Sequence, residues 1–133
     1  DVGNGVMERR EEELDRVSET CQSGLAGRFG YASDLATLFY KDRDAAKMSL
    51  YSWLHWWRDL LLIKEGNEEY LQNTDRHTEL QLQASQLTAA QIARFIRQIL
   101  GTLEALDRNA SARLALELLM LDLPTQAGSV PIA

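Results

Sequence analysis

The chain has few of the residues on which most metal centres and disulfide frameworks depend. Its 133 residues include one cysteine, Cys21, and two histidines. A single thiol excludes a disulfide framework within the chain and a thiolate metal cluster, and two imidazoles exclude most histidine-rich metal sites. Cys21 lies on the apolar stripe of a predicted helix, which favours a buried and unreactive thiol. We therefore expect no metal and no cofactor.

Proline and glycine are also scarce, with two and eight residues. This composition favours long helices over a turn-rich β-sandwich. No apolar run approaches the roughly 18 residues that span a bilayer, and the amino-terminal residues do not resemble a signal peptide. The first residue is Asp1 and not Met, so we expect an excised domain or a processed product, with the cytoplasm as its setting.

Basic residues are outnumbered by acidic ones, 14 to 20, which gives a net charge of −6. Net acidity argues against nucleic acid as the main direct partner, because that binding depends on neutralising phosphates. Residues 1–24 hold seven acids and three bases, and residues 65–79 hold five acids and one base. We expect both acidic segments to face solvent.

Apolar residues make up 45% of the chain, which is enough for a folded core at this length. They recur at helical spacing, which predicts an all-α, compact bundle of five to six helices. The predicted helices span about 7–23, 29–40, 44–64, 75–86, 89–106 and 112–123. Together they form a single helical domain over 1–124, followed by a mobile C-terminal tail over 125–133.

Local signals predict where several helices begin and end. Side chains suited to the N-cap position precede four helices: Asp42 or Asp44, Asp75, Thr88 with Gln91 completing a capping box, and Ser111. Gly66 follows the third helix in the position typical of a C-terminal glycine. The three glycines within 24–30 are expected to interrupt the chain between the first two helices.

The helix predicted over 44–64 is apolar over about half of its circumference, which is more than one core face requires. Such a helix is either central in a bundle or in contact with both a core and a partner. Its apolar residues include three tryptophans, Trp53, Trp56 and Trp57. Because the flanking sequence is not basic, we interpret them as core or helix–helix contacts and not as platforms for stacking bases.

The polar residues of the same helix form a narrow strip. His55 and Asp59 lie on it, and Arg58 lies beside it. Arg58 and Asp59 are adjacent, so their side chains point about 100° apart and each is expected to reach a different helix. A pocket around His55, Trp56, Trp57 and Asp59, in a helical-bundle ligand-binding protein or enzyme, stays open as an alternative.

The helix predicted over 112–123 has apolar residues all round, interrupted only by Arg113, Glu117 and Asp122. Such a helix needs burial on every side, so it is either central or covered by a neighbouring subunit. Arg113 and Glu117 form an i,i+4 pair, in an order worth a few tenths of a kcal/mol at most.

No signature of a nucleotide-binding site or a metalloenzyme is present: Walker A spacing, a dinucleotide-binding glycine pattern and a His-Glu-x-x-His pair are all absent. We therefore expect no catalytic residue. The surplus of apolar helix surface favours an assembly module over an enzyme. A nucleic-acid-binding helical module is a third hypothesis, for which the charge balance predicts weak or no binding.

Two segments carry a family resemblance: WLHWWRDLLLIKEGN (residues 53–67) and LDRNASARLALELLMLDLP (residues 106–124). With RFGYASDLA (residues 28–36) upstream, they resemble the C-terminal domain of the delta-prime subunit of the bacterial DNA polymerase III clamp loader. The family often has Asn-x-Asn-Pro-Arg before the last helix, where residues 109–113 here read Asn-Ala-Ser-Ala-Arg. Ser111 can still cap the helix, but the loss of proline makes a role for Asn109 in fixing the turn less certain.

The resemblance implies a non-catalytic collar domain within a DNA polymerase holoenzyme. Collar domains of five subunits form a ring that holds the clamp loader together, so that the complex can load the sliding clamp on primed DNA during replication. The implied partners are the gamma/tau and delta subunits, with DNA and the sliding clamp contacted only indirectly and neither a membrane nor a small-molecule substrate involved. The implied location is the bacterial cytoplasm, at the nucleoid-associated replisome. The collar domain of the gamma/tau subunit is the alternative within the family.

The ring and the apolar surplus together suggest which residues meet neighbouring subunits. The predicted partner contacts are Trp56, Leu62, Ile63, Arg94, Arg97 and Met120. The residues expected to carry the family pattern or the structure are Trp53, Trp57, Arg58, Asp59, Asn109, Ser111, Arg113 and Glu117.

Overall fold

A computed structural model describes residues 2–124, without the side chains of residues 2–4 and 6. Within that range the chain forms six α-helices, two short 3₁₀ turns and no strand. The helices are α1 (Val2–Gln22), α2 (Leu25–Lys41), α3 (Arg43–Lys64), α4 (His77–Ser85), α5 (Ala89–Asp107) and α6 (Ala112–Leu121). The prediction of a compact all-α bundle of five to six helices is confirmed. The tail predicted over 125–133 lies outside the described residues.

Local hydrogen bonds fix the starts of three helices. The Asp42 carboxylate accepts from the Ala45 N–H (3.1 Å) at the start of α3, so Asp42 and not Asp44 is the N-cap. Thr88 and Gln91 make both bonds of the predicted capping box, at 2.9 and 3.1 Å. The Ser111 hydroxyl caps α6. These contacts satisfy amide groups that the first turn of a helix leaves without partners.

The chain leaves α3 and α5 through residues in the left-handed region. Gly66 has a φ of +76° and Asn109 a φ of +60°. After Asn109, the Ala110 N–H donates back to the Ala105 carbonyl (3.1 Å), which is the long-range bond of a Schellman ending. Asn109 therefore sets the turn from which α6 starts.

Replacing Asn109 with valine is expected to lower the free energy of unfolding by about 1–2 kcal/mol, because a β-branched side chain is strained at positive φ. Asn109→Gly should leave stability within about 0.5 kcal/mol of the wild type or raise it slightly, since glycine adopts this φ freely. Urea titration followed by circular dichroism measures both variants. An Asn109→Val protein as stable as Asn109→Gly would contradict the conformational role of this residue.

Helix α3 runs through the middle of the bundle. It packs against α2, α4 and α5 and, at fewer positions, against α1. Trp53, Trp56 and Trp57 are 0%, 0% and 1% exposed. Of the two positions left open for α3, the structure therefore shows the central one, and the chain itself covers most of its wide apolar arc.

Helix α2 begins at Leu25, about four residues earlier than predicted. Only Gly24 is extended (φ −81°, ψ −170°), whereas Gly27 and Gly30 are helical. Each helical glycine costs about 1 kcal/mol relative to alanine. Packing of the buried face of α2 against α3 and α6 outweighs that cost.

The two acidic segments lie against each other. Arg10 of α1 donates to the Asp75 carboxylate (3.1 Å), and Arg76 donates to Asp15 of α1 (2.9 Å). Most acids of α1 are exposed, as expected, but arginines from each segment join it to the other. Helix α4 begins only at His77, and Asp75 makes no cap bond to it, so the predicted capping role of Asp75 is wrong. The Arg10 guanidinium holds the pKa of Asp75 below its ordinary value.

Candidate functional site

The outer side of α6 is apolar and uncovered. Leu114, Leu118 and Leu121 are 59%, 53% and 53% exposed. On the inner side, Leu116 and Leu119 are 1% and 2% exposed, because α6 packs there against α2 and α5. The all-round apolar pattern thus divides into a core face and a free face. A row of exposed leucines of this kind marks an interaction surface.

A groove of about 490 Å³ runs between α5 and α6 beside the exposed leucines. Small residues line it on both helices, namely Gly101 and Ala105 of α5 and Ala115 of α6, while Leu114 and Leu118 supply apolar side chains. Small side chains allow the backbone of another helix to approach closely. We call this groove, its lining and Leu121 the α5–α6 face.

Charged side chains flank the α5–α6 face. Arg94 and Arg97 of α5 are exposed, each one helical turn before a groove-lining residue, Gln98 and Gly101 respectively. On α6, Arg113 donates to Glu117 (3.0 Å), which confirms the predicted i,i+4 pair.

The predicted partner contacts divide into accessible and buried residues. Arg94 and Arg97 are exposed, and Leu62 and Ile63 are half-buried. Trp56 and Met120 are 0% and 1% exposed. The prediction is therefore wrong for these two side chains, because the core of the same chain encloses them.

The helical wheel missed most of the α5–α6 face. The wheel of the last helix shows apolar residues all round and does not set Leu114 and Leu118 apart from the buried leucines. A usable signal was present in the i,i+4 spacing of Gly101 and Ala105, two small residues on one side of an otherwise bulky helix.

Asp59 is not on a solvent-facing strip. It is 1% exposed, and its carboxylate accepts from the Gln72 N–H (2.9 Å), the Asn73 N–H (2.8 Å) and the Asn73 side-chain amide (2.9 Å). The expectation that Asp59 reaches another helix is therefore wrong, since its partners lie between the two 3₁₀ turns. Arg58 is exposed. Asp59 fastens the segment between α3 and α4 to the centre of the bundle.

The tryptophans are packing residues with polar anchors. Trp53 Nε1 donates to the Tyr31 hydroxyl (2.7 Å), and Trp56 Nε1 donates to Gln83 Oε1 (2.8 Å). The Trp57 ring packs against Phe95 in a tilted arrangement, with the centroids 4.5 Å apart and the planes at 52°, and its buried Nε1–H has no hydrogen-bond acceptor within the residues described. These contacts confirm the interpretation of the three tryptophans as core residues.

The residues of the ligand-binding alternative do not surround a cavity. Trp56, Trp57 and Asp59 are buried, and Asp59 is occupied by three donors of the same chain. His55 is half-buried at the edge, with its Nδ1 3.3 Å from the Gln72 side-chain amide. The arrangement holds the chain together and leaves these groups no room for a ligand.

The predicted burial of Cys21 is confirmed at 4% exposure. Burial raises the pKa of its thiol to about 12, an effect that the neighbouring Gln83 and Trp57 side chains partly offset. The thiol therefore stays protonated at neutral pH and is a poor nucleophile.

A second groove, of about 780 Å³, lies between α1, α2 and α3. Several of its charged groups have partners within the chain: Arg16, for example, donates to Asp34 (2.9 Å) and lies 5.0 Å over the Tyr31 ring. Glu13 is partly buried there, and desolvation raises its pKa. This groove is a satisfied seam between helices, unlike the α5–α6 face.

Within residues 2–124, no helix is both long and apolar enough to cross a membrane. In the same part of the chain, no cluster of three or more histidine, cysteine or acidic side chains is placed to hold a metal ion.

A helical bundle with a solid core and an uncovered apolar helix face has the construction of an assembly module. Comparison with protein families identifies which one. The chain matches the model of the DNA polymerase III, delta subunit, C terminal family over residues 12–125, and it belongs to that family. Membership gives it a clamp-loader-related role in DNA replication, as a loader component without an indicated catalytic activity. Neither the comparison with curated proteins nor that with solved structures returned a match.

Proposed function

We propose that this chain is the collar domain of a clamp-loader subunit, and that the subunit is delta-prime. Family membership and the uncovered α5–α6 face support the first statement. The resemblance of residues 53–67 and 106–124 to delta-prime supports the second. In this role the domain joins the gamma/tau and delta subunits into a ring, meets DNA and the sliding clamp only through the assembled loader, and works in the bacterial cytoplasm at the replisome.

The observation that carries the proposal is the division of α6 into two apolar faces. The inner leucines complete a core that is already closed around α3, so the outer ones add nothing to the isolated fold. In a ring of similar domains, head-to-tail contacts would cover this second face on every subunit.

Replacing Leu118 with aspartate is expected to weaken association with the other loader subunits about 30- to 100-fold, the range for loss of a central interface residue. Leu118 is 53% exposed, so the fold should be unaffected. The full-length gene product is mixed with purified gamma/tau and delta subunits, and complex mass is followed by light scattering over a concentration series.

Leu82→Asp is the matched control, since Leu82 is an exposed leucine on α4 outside the α5–α6 face. It should assemble like the wild type. Failure of the wild-type protein to join any loader subunit would overturn the collar role. Assembly with gamma/tau and delta in a position that a second gamma/tau subunit can fill equally well would favour the gamma/tau alternative.

A further inference from the structure

The α5–α6 face is shaped for a helix. On the α5 side, Gly101 and Ala105 lie one turn apart and leave the groove without bulky side chains, and Leu114 and Leu118 flank it on α6. Amphipathic helices bind in grooves of this kind through an apolar stripe with i, i+3/i+4 spacing.

The charged side chains beside this groove are positive at the end formed by the first turns of α5. Helix α5 carries Arg94 and Arg97 and no acid over its first fifteen residues, 89–103. Both arginines are exposed, and neither forms a salt bridge with another residue of the part of the chain that the structure describes. Of the other nine arginines, four pair with carboxylates within residues 2–124, namely Arg10, Arg16, Arg76 and Arg113, and five form no salt bridge there. What distinguishes Arg94 and Arg97 is therefore their position beside the groove.

The position of these arginines matters because the chain is acidic overall, with a net charge of −6. Two exposed basic side chains next to an apolar groove give that end of the groove a local positive charge. Arginine is enriched at protein interfaces, where its planar fork binds carboxylates through two parallel hydrogen bonds.

We infer that the α5–α6 face receives an amphipathic helix of a different subunit, with an apolar stripe for the leucines and carboxylates on the flank that meets Arg94 and Arg97. This inference rests on the proposed function and adds the chemistry of the partner. The apolar stripe supplies affinity, and the carboxylates fix the direction in which the helix lies.

A second copy of this chain fits the face poorly. If two α5 helices met antiparallel about Gly101, Arg94 of one copy would face Arg108 of the other. If they met in parallel, Arg94 would face Arg94. The parallel arrangement places like charges together, and in the antiparallel one only Glu104, opposite Gln98, lies near the arginines of the other copy. Two chains of charge −6 also repel each other overall.

The test reverses the charges without touching the leucines. The double variant Arg94→Glu and Arg97→Glu, in the full-length gene product, is expected to bind the gamma/tau and delta subunits about 10- to 100-fold more weakly at about 0.1 M salt. Its affinity should also fall less steeply with salt than that of the wild type, because an attractive charge pair has been removed. The control is Arg58→Glu with Lys64→Glu, two exposed basic residues of α3, which should change affinity less than about threefold.

A crosslinker identifies the occupant directly. Cys21 is the only cysteine and is buried, so Leu100→Cys, at an exposed position three residues after Arg97, introduces the one accessible thiol, which carries a photoreactive group, and leaves both arginines in place. We expect capture of a helix in another loader subunit whose sequence has acids beside an apolar stripe.

The outcomes separate the two proposals. Unchanged binding of the Arg94/Arg97 double variant, together with loss of assembly in Leu118→Asp, would overturn the acidic partner and leave the collar role intact. Capture of a basic or uncharged segment would do the same. A dimer of this chain alone that Leu118→Asp dissociates would show that a second copy is the occupant. Absence of assembly by the wild type would remove the proposed function, and this inference with it.

Discussion

Asp59→Ala is expected to lower the free energy of unfolding by about 3–5 kcal/mol, because it removes the acceptor of three hydrogen bonds in the buried interior. The carboxylate is 1% exposed and binds two backbone amides and one side-chain amide of Gln72 and Asn73. Loss of the carboxylate leaves these three buried N–H donors without an acceptor and removes the attachment of the segment between α3 and α4 to the bundle. Urea unfolding followed by tryptophan fluorescence measures the change.

Two comparisons make this result specific to the hydrogen bonds of Asp59. Arg58→Ala alters the exposed neighbour and should stay within about 0.5 kcal/mol of the wild type. Asp59→Asn keeps the shape and one acceptor, so its cost should lie between those of the other two variants. If Asp59→Ala unfolds with the midpoint of Arg58→Ala, Asp59 does not fasten this segment.

Trp53→Ala should be destabilising by about 3–5 kcal/mol, the usual cost of deleting a buried indole from a core. Trp53 is 0% exposed, with its ring centroid 5.3 Å from that of Tyr31 and 6.2 Å from that of Phe95. The deletion also leaves the Tyr31 hydroxyl without its 2.7 Å donor. Because a domain of this size is stabilised by only about 5–15 kcal/mol, the variant should be close to unfolding at room temperature.

More conservative substitutions separate the contribution of packing to this loss of stability from that of the Trp53–Tyr31 hydrogen bond. Trp53→Phe keeps a ring and loses the hydrogen bond, and Tyr31→Phe removes only the acceptor. A double-mutant cycle between them should give a coupling of about 0.5–1.5 kcal/mol, measured by thermal unfolding. Additive losses, with no coupling, would show that the 2.7 Å contact contributes nothing beyond packing.

The parts of the fold that sequence reasoning predicted are those decided within a few residues. The caps of Asp42, Thr88 and Ser111 each bind an amide three residues away, so their geometry follows from local spacing. Helical periodicity likewise predicts the burial of Cys21, which is 4% exposed.

The parts that were missed depend on distant residues. Asp59 binds backbone 13 and 14 residues away, and Arg10 meets Asp75 across 65 residues. No periodicity reveals such contacts. A helical wheel also gives the width of the apolar arc of a helix, but it does not show how many other helices pack against that arc. For this reason α3 and α6 gave the same signal, although one is enclosed by the bundle and the other is half uncovered.

The buried thiol of Cys21 provides an intrinsic probe of the opening of α1. A thiol reagent reaches the buried sulfur only when the packing of α1 opens locally. The rate at which Cys21 is modified therefore measures how often that opening occurs. Because it is the only cysteine in the chain, the count needs no engineered label. Compared between the free chain and the assembled complex, the same rate would tell whether binding at the α5–α6 face changes how often α1 opens.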